Sequence, residues 1–258
     1  MPEDLPPLAL LHRDEDVVAA AKPSGQAVIA ARGEPRSLCL QKQIESELHR
    51  RVWVVHRIDR DASGVVLFAL NAEAHRELSL AFERRQVVKT YTAFVAGRVE
   101  PPRGRIEVPL HAARRGKARP AAAAEPGALP SMTDYATRRT WSLPIILRDS
   151  RLPGPEGSAG IAVSLLEVHP LTGRHHQIRV HLRSVGAPIL FDPLYGRALM
   201  PEALAGSPCA RLALHARRID VPAPRGEGRL GVEAPLSEDL IALREWLDGA
   251  FGTDAAGG

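Results

Sequence analysis

The sequence predicts an α+β fold, and three observations carry that expectation. Short β-branched and aromatic runs recur along the chain; Gly64–Leu70, GVVLFAL, has the length and composition of a strand buried on both faces. Amphipathic helix patterns are few by comparison, so the pattern suits a sheet with helices packed on it better than a bundle. At 258 residues the chain is long enough to bury a substantial core as one large domain or two small ones. We read it as one domain over 1–258, with its core at about 8–245.

The elements follow in order. Residues 8–21 place LALLH and VVAAA around Arg13–Asp14–Glu15–Asp16, two short strands joined by a tight acidic turn. Lys22–Pro23–Ser24–Gly25 is a sharp turn, because Pro23 fixes φ and Gly25 tolerates a positive one. Residues 37–48 put Leu40, Ile44 and Leu48 on one helical face, with Ser37 as N-cap. Residues 72–86 form a second amphipathic helix with Ala74, Leu78, Ala81 and Phe82 inward, and Arg84 and Arg85 complement its dipole. In the strand at 87–97, Lys89, Tyr91, Ala93 and Val95 share one face by the period of two. Residues 113–130 have the composition of a flexible basic loop, and Arg151–Gly160 that of a second loop, with strands at 133–140 and 161–168 around it. A helix starting near Arg174 buries Ile178, Leu182 and Val185 and stops at Gly186. A last helix spans Ser237–Leu247, and residues 252–258 form a disordered tail.

Composition narrows the class. Hydrophobic content of 45% with 25% charged residues is ordinary for a globular protein. The net charge of +4 is compatible with a polyanionic partner and equally with a mildly basic protein. Cys39 and Cys209 have no CxxC spacing, which suits buried thiols in a reducing compartment. The N-terminal MPEDLPPLALLHRDED lacks a basic segment followed by an apolar core, and no run approaches membrane-spanning length, so a cytoplasmic location is expected.

Chemistry concentrates in two places. His56–Arg57–Ile58–Asp59–Arg60–Asp61 packs five ionisable side chains into six positions directly ahead of the apolar run. Charges against a buried strand are costly unless paired, so the segment is either an ion-paired turn or a site. The second is Pro170–Leu182, PLTGRHHQIRVHL, where Arg179 flanks the helix's apolar stripe. Such an Arg often only covers apolar surface with its stem. Three histidines within seven positions invite a metal reading, but His175 and His176 point to different faces and no carboxylate or Cys sits at ligand spacing, so no metal is expected.

These stretches together resemble one family. HRIDRDASGVVLFAL is similar to the HRLDxxTSGLLLxA motif of RluA-type pseudouridine synthases, with Ile58 for Leu and Ala62 for Thr. The Lys22–Gly25 turn resembles the family's KPxG element, KTYTAFVAG its KxYxAxVxG strand, and PLTGRHHQIRVHL its PxTGRTHQIRVHL segment. Gly186–Gly196 resembles GxPIxGDxxYG with Phe191 in place of a Gly, a strained substitution if that residue has positive φ. Arg211–Ala216 resembles the RLxLHA strand. The resemblance covers residues 8–245, and KPSG already at residue 22 matches short members that lack an S4 domain.

The resemblance implies a long, mixed, mostly antiparallel sheet with flanking helices and a central RNA-binding cleft. It implies isomerisation of uridine to pseudouridine in tRNA or rRNA, on a flipped base, without cofactor. Asp59, Tyr91 and Arg179 fall on the family's catalytic positions, with Arg179 pairing Asp59 and Tyr91 against the base. Arg57, Lys22, Arg174, His176 and Gln177 are the expected substrate-binding residues, Lys22 also bracing the catalytic loop. A monomer is the default expectation. The one-signed excess over 98–119 favours RNA contact by that loop over a merely solvated insertion. Two other classes stay open. A non-catalytic RNA-binding module has no need of Asp59 and Arg179 together, and a glycoside or nucleoside hydrolase needs a second carboxylate, for which Asp61 or Asp192 are the candidates.

Overall fold

Strand β4, Ser63–Ala69, is buried at every residue. The reason is visible in its alternation. Val65, Leu67 and Ala69 join one apolar cluster with Ala74 and Leu78, while Val66, Phe68 and Leu70 join another with Leu40 and Ile44. A strand with a helix on each face has no side on which a polar residue is cheap, hence the unbroken apolar run.

The computed structural model describes residues 6–30, 35–112, 116–143, 161–196, 204–226, 228–251 and 253–254. The chain forms two units, Met1–Tyr91 with Leu214–Ser237, and Thr92–Ala213 with Glu238–Gly258. In the first, β1 (Ala9–Arg13) and β2 (Val17–Lys22) form an antiparallel pair. Asp14 shapes their turn, its Oδ1 accepting the N–H groups of Asp16 and Val17 at 2.8 and 2.7 Å. β4 lies between β2, which it meets antiparallel, and β11 (Leu214–Pro222), which it meets in parallel. β3 (Trp53–Val54) pairs with β4, and β12 (Arg229–Glu233) with β11. Gly64 sits at φ +120° where β4 meets β11, and a Cβ there would lie 2.2 Å from the Ala216 carbonyl oxygen. Only glycine closes that pairing.

Helices α1 (Leu40–Leu48) and α2 (Ala72–Glu83) supply the two covering faces. Asn71 caps α2, its Oδ1 accepting the Ala74 N–H at 2.9 Å. The expected Ser37 cap of α1 gives way to a 3-10 turn at Arg36–Leu38, and Cys39 occupies the N-cap position without a side-chain hydrogen bond.

In the second unit, β9 (Thr133–Leu143) and β10 (Ile161–Pro170) pair antiparallel over their whole length; β5 (Val88–Ala96) enters this unit from Thr92 onward, next to β10. β6 (Arg103–Ile106) pairs with β9 from Thr133 to Ala136. Trp141 is fully buried and donates its Nε1–H to Asp248 at 2.8 Å, which fastens α4 (Glu238–Ala250) to the sheet.

Four expectations are corrected here. The basic loop at 113–130 contains β8 (Ala118–Pro120), antiparallel to β7 (Leu110–Ala112), because Leu110 and Ala118 are apolar enough to bury with Val180 and Tyr195. Within the tail at 252–258, β13 (Thr253–Asp254) pairs with β9. The helix expected from Arg174 is α3, Gln177–Ser184, because His176 at φ +54° is left-handed and cannot be a helical residue. The last helix runs three residues past Leu247. Residues 151–160 lie outside the described residues. Among the described residues no helix is long and apolar enough to cross a membrane.

Candidate active site

In the first unit the site is built on residues 55–62, which connect β3 to β4. The Lys22–Gly25 turn holds this connection by its main chain. Lys22 Nζ donates to the carbonyls of Arg60, Pro23 and Gln26, each at 2.7 Å. The Gly25 N–H also donates to Arg60 O, at 3.0 Å, and Ser24 Oγ donates to Asp61 O at 2.6 Å. The two peptide units that follow Asp59 are thus fastened while Asp59 itself stays half-buried and Arg57 exposed. Lys22 is 2% exposed, and an ammonium has three donors, all directed at carbonyls. These bonds fit the bracing role that the resemblance implies for Lys22.

His56 stacks on Phe82 at 5.3 Å, and its Nε2 accepts the Leu67 N–H at 2.9 Å. Burial, with Lys89 adding to it, lowers the His56 pKa to about 3, so the ring is neutral and carries its proton on Nδ1. Burial also lowers Lys89 to about 8. Tyr91, two residues on along the same face of β5, has its hydroxyl pKa raised by burial and further by the negative charge of Asp59. Tyr91 therefore remains a hydroxyl donor at neutral pH beside the carboxylate. At the base of β4, Ser63 Oγ donates to His215 Nδ1 at 2.9 Å, and His215 Nε2 donates to Ala234 O at 3.2 Å. Both side chains are buried, so they buttress the turn from β11.

In the second unit, Arg179 is 2% exposed and forms a bidentate ion pair with Asp192, Nε to Oδ2 and Nη2 to Oδ1, both 2.8 Å. Its guanidinium carbon lies 5.1 Å from the Tyr195 ring centroid. Burial raises the Asp192 pKa, yet the Arg179 guanidinium and the N–H groups of Leu194 and Tyr195 outweigh it and hold the carboxyl below its usual range. Phe191, immediately before Asp192, adopts φ +59°, the strained left-handed conformation that its replacement of a Gly raised.

The neighbouring loop is equally tied. Gln177 Oε1 accepts from Thr172 Oγ1 at 2.7 Å and from the Arg174 N–H at 3.0 Å, while Nε2 donates to Met132 O at 2.8 Å and Thr133 Oγ1 at 3.0 Å. At 4% exposure with all four positions satisfied, Gln177 organises the turn. His176 Nδ1 bonds the Tyr195 hydroxyl at 2.9 Å and its ring stacks on exposed His175 at 3.7 Å, so the two rings share one side instead of pointing to different faces. Arg174 is half-buried, with Nε directed at Pro130 O, 3.3 Å away. Among the described residues no cluster of three or more His, Cys, Asp or Glu could hold a metal.

Asp59 and Tyr91 thus share one environment in the first unit, and Arg179, Arg174, His176 and Gln177 gather around α3 in the second. Sequence reasoning missed Asp192 as a partner of Arg179, Lys89 as a group beside the turn, and the Ser63–His215 bond. Their spacing carries no periodic signal: Ser63 and His215 are 152 residues apart.

Comparison with known proteins identifies the family. Residues 16–184 match the RNA pseudouridylate synthase family model. The chain is 31% identical over 243 residues to tRNA pseudouridine synthase C of Haemophilus ducreyi, covering 92% of this chain and 94% of that protein. It is 30% identical over 234 residues to the dual-specificity RNA pseudouridine synthase RluA of Escherichia coli K12, covering 91% and 95%. Among solved structures, human RNA pseudouridylate synthase domain containing 1 superimposes with a TM-score of 0.72 at 23% identity, over 99% of this chain and 92% of that one, a likeness of fold. With a family model matched over residues 16–184 and relatives about 30% identical along most of the chain, the chain belongs to the RNA pseudouridylate synthase family as an RluA-type isomerase.

Proposed function

We propose that the protein isomerises specific uridines in tRNA, rRNA or both to pseudouridine, with Asp59 as the catalytic carboxylate and no cofactor. The observation that carries this reading is the Asp59 turn: a half-buried carboxylate on a connection whose following peptides are clamped, with the Tyr91 hydroxyl in its field. The names of the relatives, one acting on tRNA and one of dual specificity, support the substrate class.

The reaction breaks the C1′–N1 bond of a uridine, turns the uracil, and joins C1′ to C5, with the C5 proton lost to restore the ring. The base leaves its stack first, at a cost of a few kcal/mol, so loops and bulges are the favoured targets. Asp59 acts either by attacking C1′ or by removing a sugar proton to give a glycal. Both need an ionised, oriented carboxylate, and the role we assign to Arg179 is to serve that carboxylate as an oriented guanidinium. Tyr91 lies against the uracil, and Arg57, Arg174 and His176 contact the RNA. The protein works as a cytoplasmic monomer in this reading, which size-exclusion chromatography and cell fractionation test.

The deciding experiment is tritium release from C5-labelled uridine in bulk tRNA and in rRNA transcripts, with wild type and Asp59→Asn. Release by wild type, reduced by roughly 10⁴-fold or more in the variant with RNA affinity retained, is the expected result. Turnover by Asp59→Asn removes Asp59 from the role. Free uracil in place of pseudouridine within intact RNA points to a hydrolase.

A further inference from the structure

The support around Arg179 is more elaborate than a surface loop requires. The Asp192 carboxylate is immobilised before it grips the guanidinium: its Oδ1 accepts the N–H groups of Leu194 and Tyr195 at 2.9 and 3.1 Å. The plane of the guanidinium is consequently set by the backbone of residues 192–195. Its face is covered by the Tyr195 ring, whose own position is fixed at the far end. The Tyr195 hydroxyl accepts the Ala118 N–H of β8 at 2.8 Å and meets His176 Nδ1 at 2.9 Å. Arg183 closes the set by donating to the Tyr195 carbonyl oxygen.

A buried ion pair is a poor source of net stability, because desolvating both charges offsets most of their attraction. Here it comes with a second cost, the left-handed backbone of Phe191 next to Asp192. An arrangement that is expensive twice over is explained better by the geometry it imposes than by stability.

We infer that Asp192 and Tyr195 are positioning residues for Arg179, Asp192 fixing the direction of the guanidinium and Tyr195 joining that support to the β7–β8 hairpin through its hydroxyl. The inference rests on the reading that Arg179 serves Asp59. It assigns a role in the reaction to the D-x-x-Y part of the Gly186–Gly196 segment, and it makes the hairpin that continues the basic stretch part of the same support.

The test is a double-mutant cycle on single-turnover tritium release at saturating enzyme, with folding checked by circular dichroism and RNA affinity by filter binding. Asp192→Asn keeps the acceptor for the two N–H groups and loses the charge. It lowers the rate constant by roughly 100-fold, the size of a misplacement effect, with RNA affinity unchanged. In the Arg179→Lys background the same change costs no more than about twofold, because the group it positions is already gone. Tyr195→Phe keeps the ring and lowers the rate by roughly tenfold, again without loss of RNA affinity. Effects of Asp192→Asn and Arg179→Lys that simply multiply overturn the inference, as does a wild-type rate in folded Asp192→Asn. Should Asp192→Asn fail to fold, Tyr195→Phe decides, and a wild-type rate there overturns the link to the hairpin. Absence of release by the wild-type protein overturns the functional reading and this inference with it, whereas wild-type release with multiplicative variants overturns the inference alone.

Discussion

The two motif regions hold their charged residues by opposite means. Around Asp59 the hydrogen bonds fall on the main chain: Lys22, Gly25 and Ser24 fasten the carbonyls of Arg60 and Asp61. Around Arg179 they fall on the side chain itself, through the Asp192 carboxylate and under the Tyr195 ring. The difference suits the roles proposed for the two groups. A reacting carboxylate must stay reachable, so its neighbours are fixed instead. A guanidinium that acts through its direction can be gripped by its own nitrogens, since Arg has five donors in a rigid fork.

Breaking the first arrangement has the largest effect. Asp59→Asn ends turnover while leaving the brace intact, and tritium release reads that loss directly. Lys22→Met tests the brace itself. It removes the Lys22 donor from the Pro23 and Gln26 carbonyls and leaves Arg60 O with the Gly25 N–H, so at about 1–3 kcal/mol for each unsatisfied group the total is roughly 2–5 kcal/mol. Urea unfolding measures it, and a Lys22→Met protein that is fully stable but binds RNA poorly would restore Lys22 to substrate contact.

A smaller effect is acid sensitivity from His56. Its folded pKa of about 3 lies below the ordinary value of 6.5, so the unfolded chain binds the extra proton first. The stabilisation that neutral His56 allows is complete above pH 6.5 and is lost as pH falls from 6.5 towards 3, by at most about 1.4 kcal/mol per pH unit. Urea midpoints of wild type and His56→Gln across that window check it. The expected result is a flatter acid limb in the variant, and parallel curves would show that the buried ring is not responsible.

The smallest effect sharpens the second arrangement. Phe191→Gly and Phe191→Ala both lose the ring, but only glycine tolerates φ +59° freely. The Gly variant should be the more stable of the two by about 1 kcal/mol, read from paired thermal melts. Equal stabilities would mean that residue 191 leaves the left-handed region once its side chain is small.

Much of the fold was legible along the chain because it rests on local periodicity. β4 announced itself through an apolar run with no polar face, and α2 through its stripe of Ala74, Leu78 and Ala81. The acidic turn between β1 and β2 and the Tyr91 strand followed from the same local rules. The errors fall where a distant residue overrides a local preference. Residues 113–130 read as loop by composition, yet Leu110 and Ala118 find Val180 and Tyr195 to bury against. The helix pattern from Arg174 is real, but His176 turns left-handed, with its ring bonded to Tyr195 nineteen residues on.

The sequence by itself determined the α+β class and the family, and it singled out the charged residues carried into the proposed function, because motifs and periodicities are properties of neighbours in the chain. Only the tertiary structure decided what those charges do. Lys22 and Gln177 read as polar residues available to RNA, and folding buries both and turns their donors inward. Asp192 read as a motif match and a candidate second carboxylate, and folding pairs it with Arg179. The physical reason is that burial is set by what packs over a residue from elsewhere in the chain, and for a polar group burial converts an optional hydrogen bond into a required one.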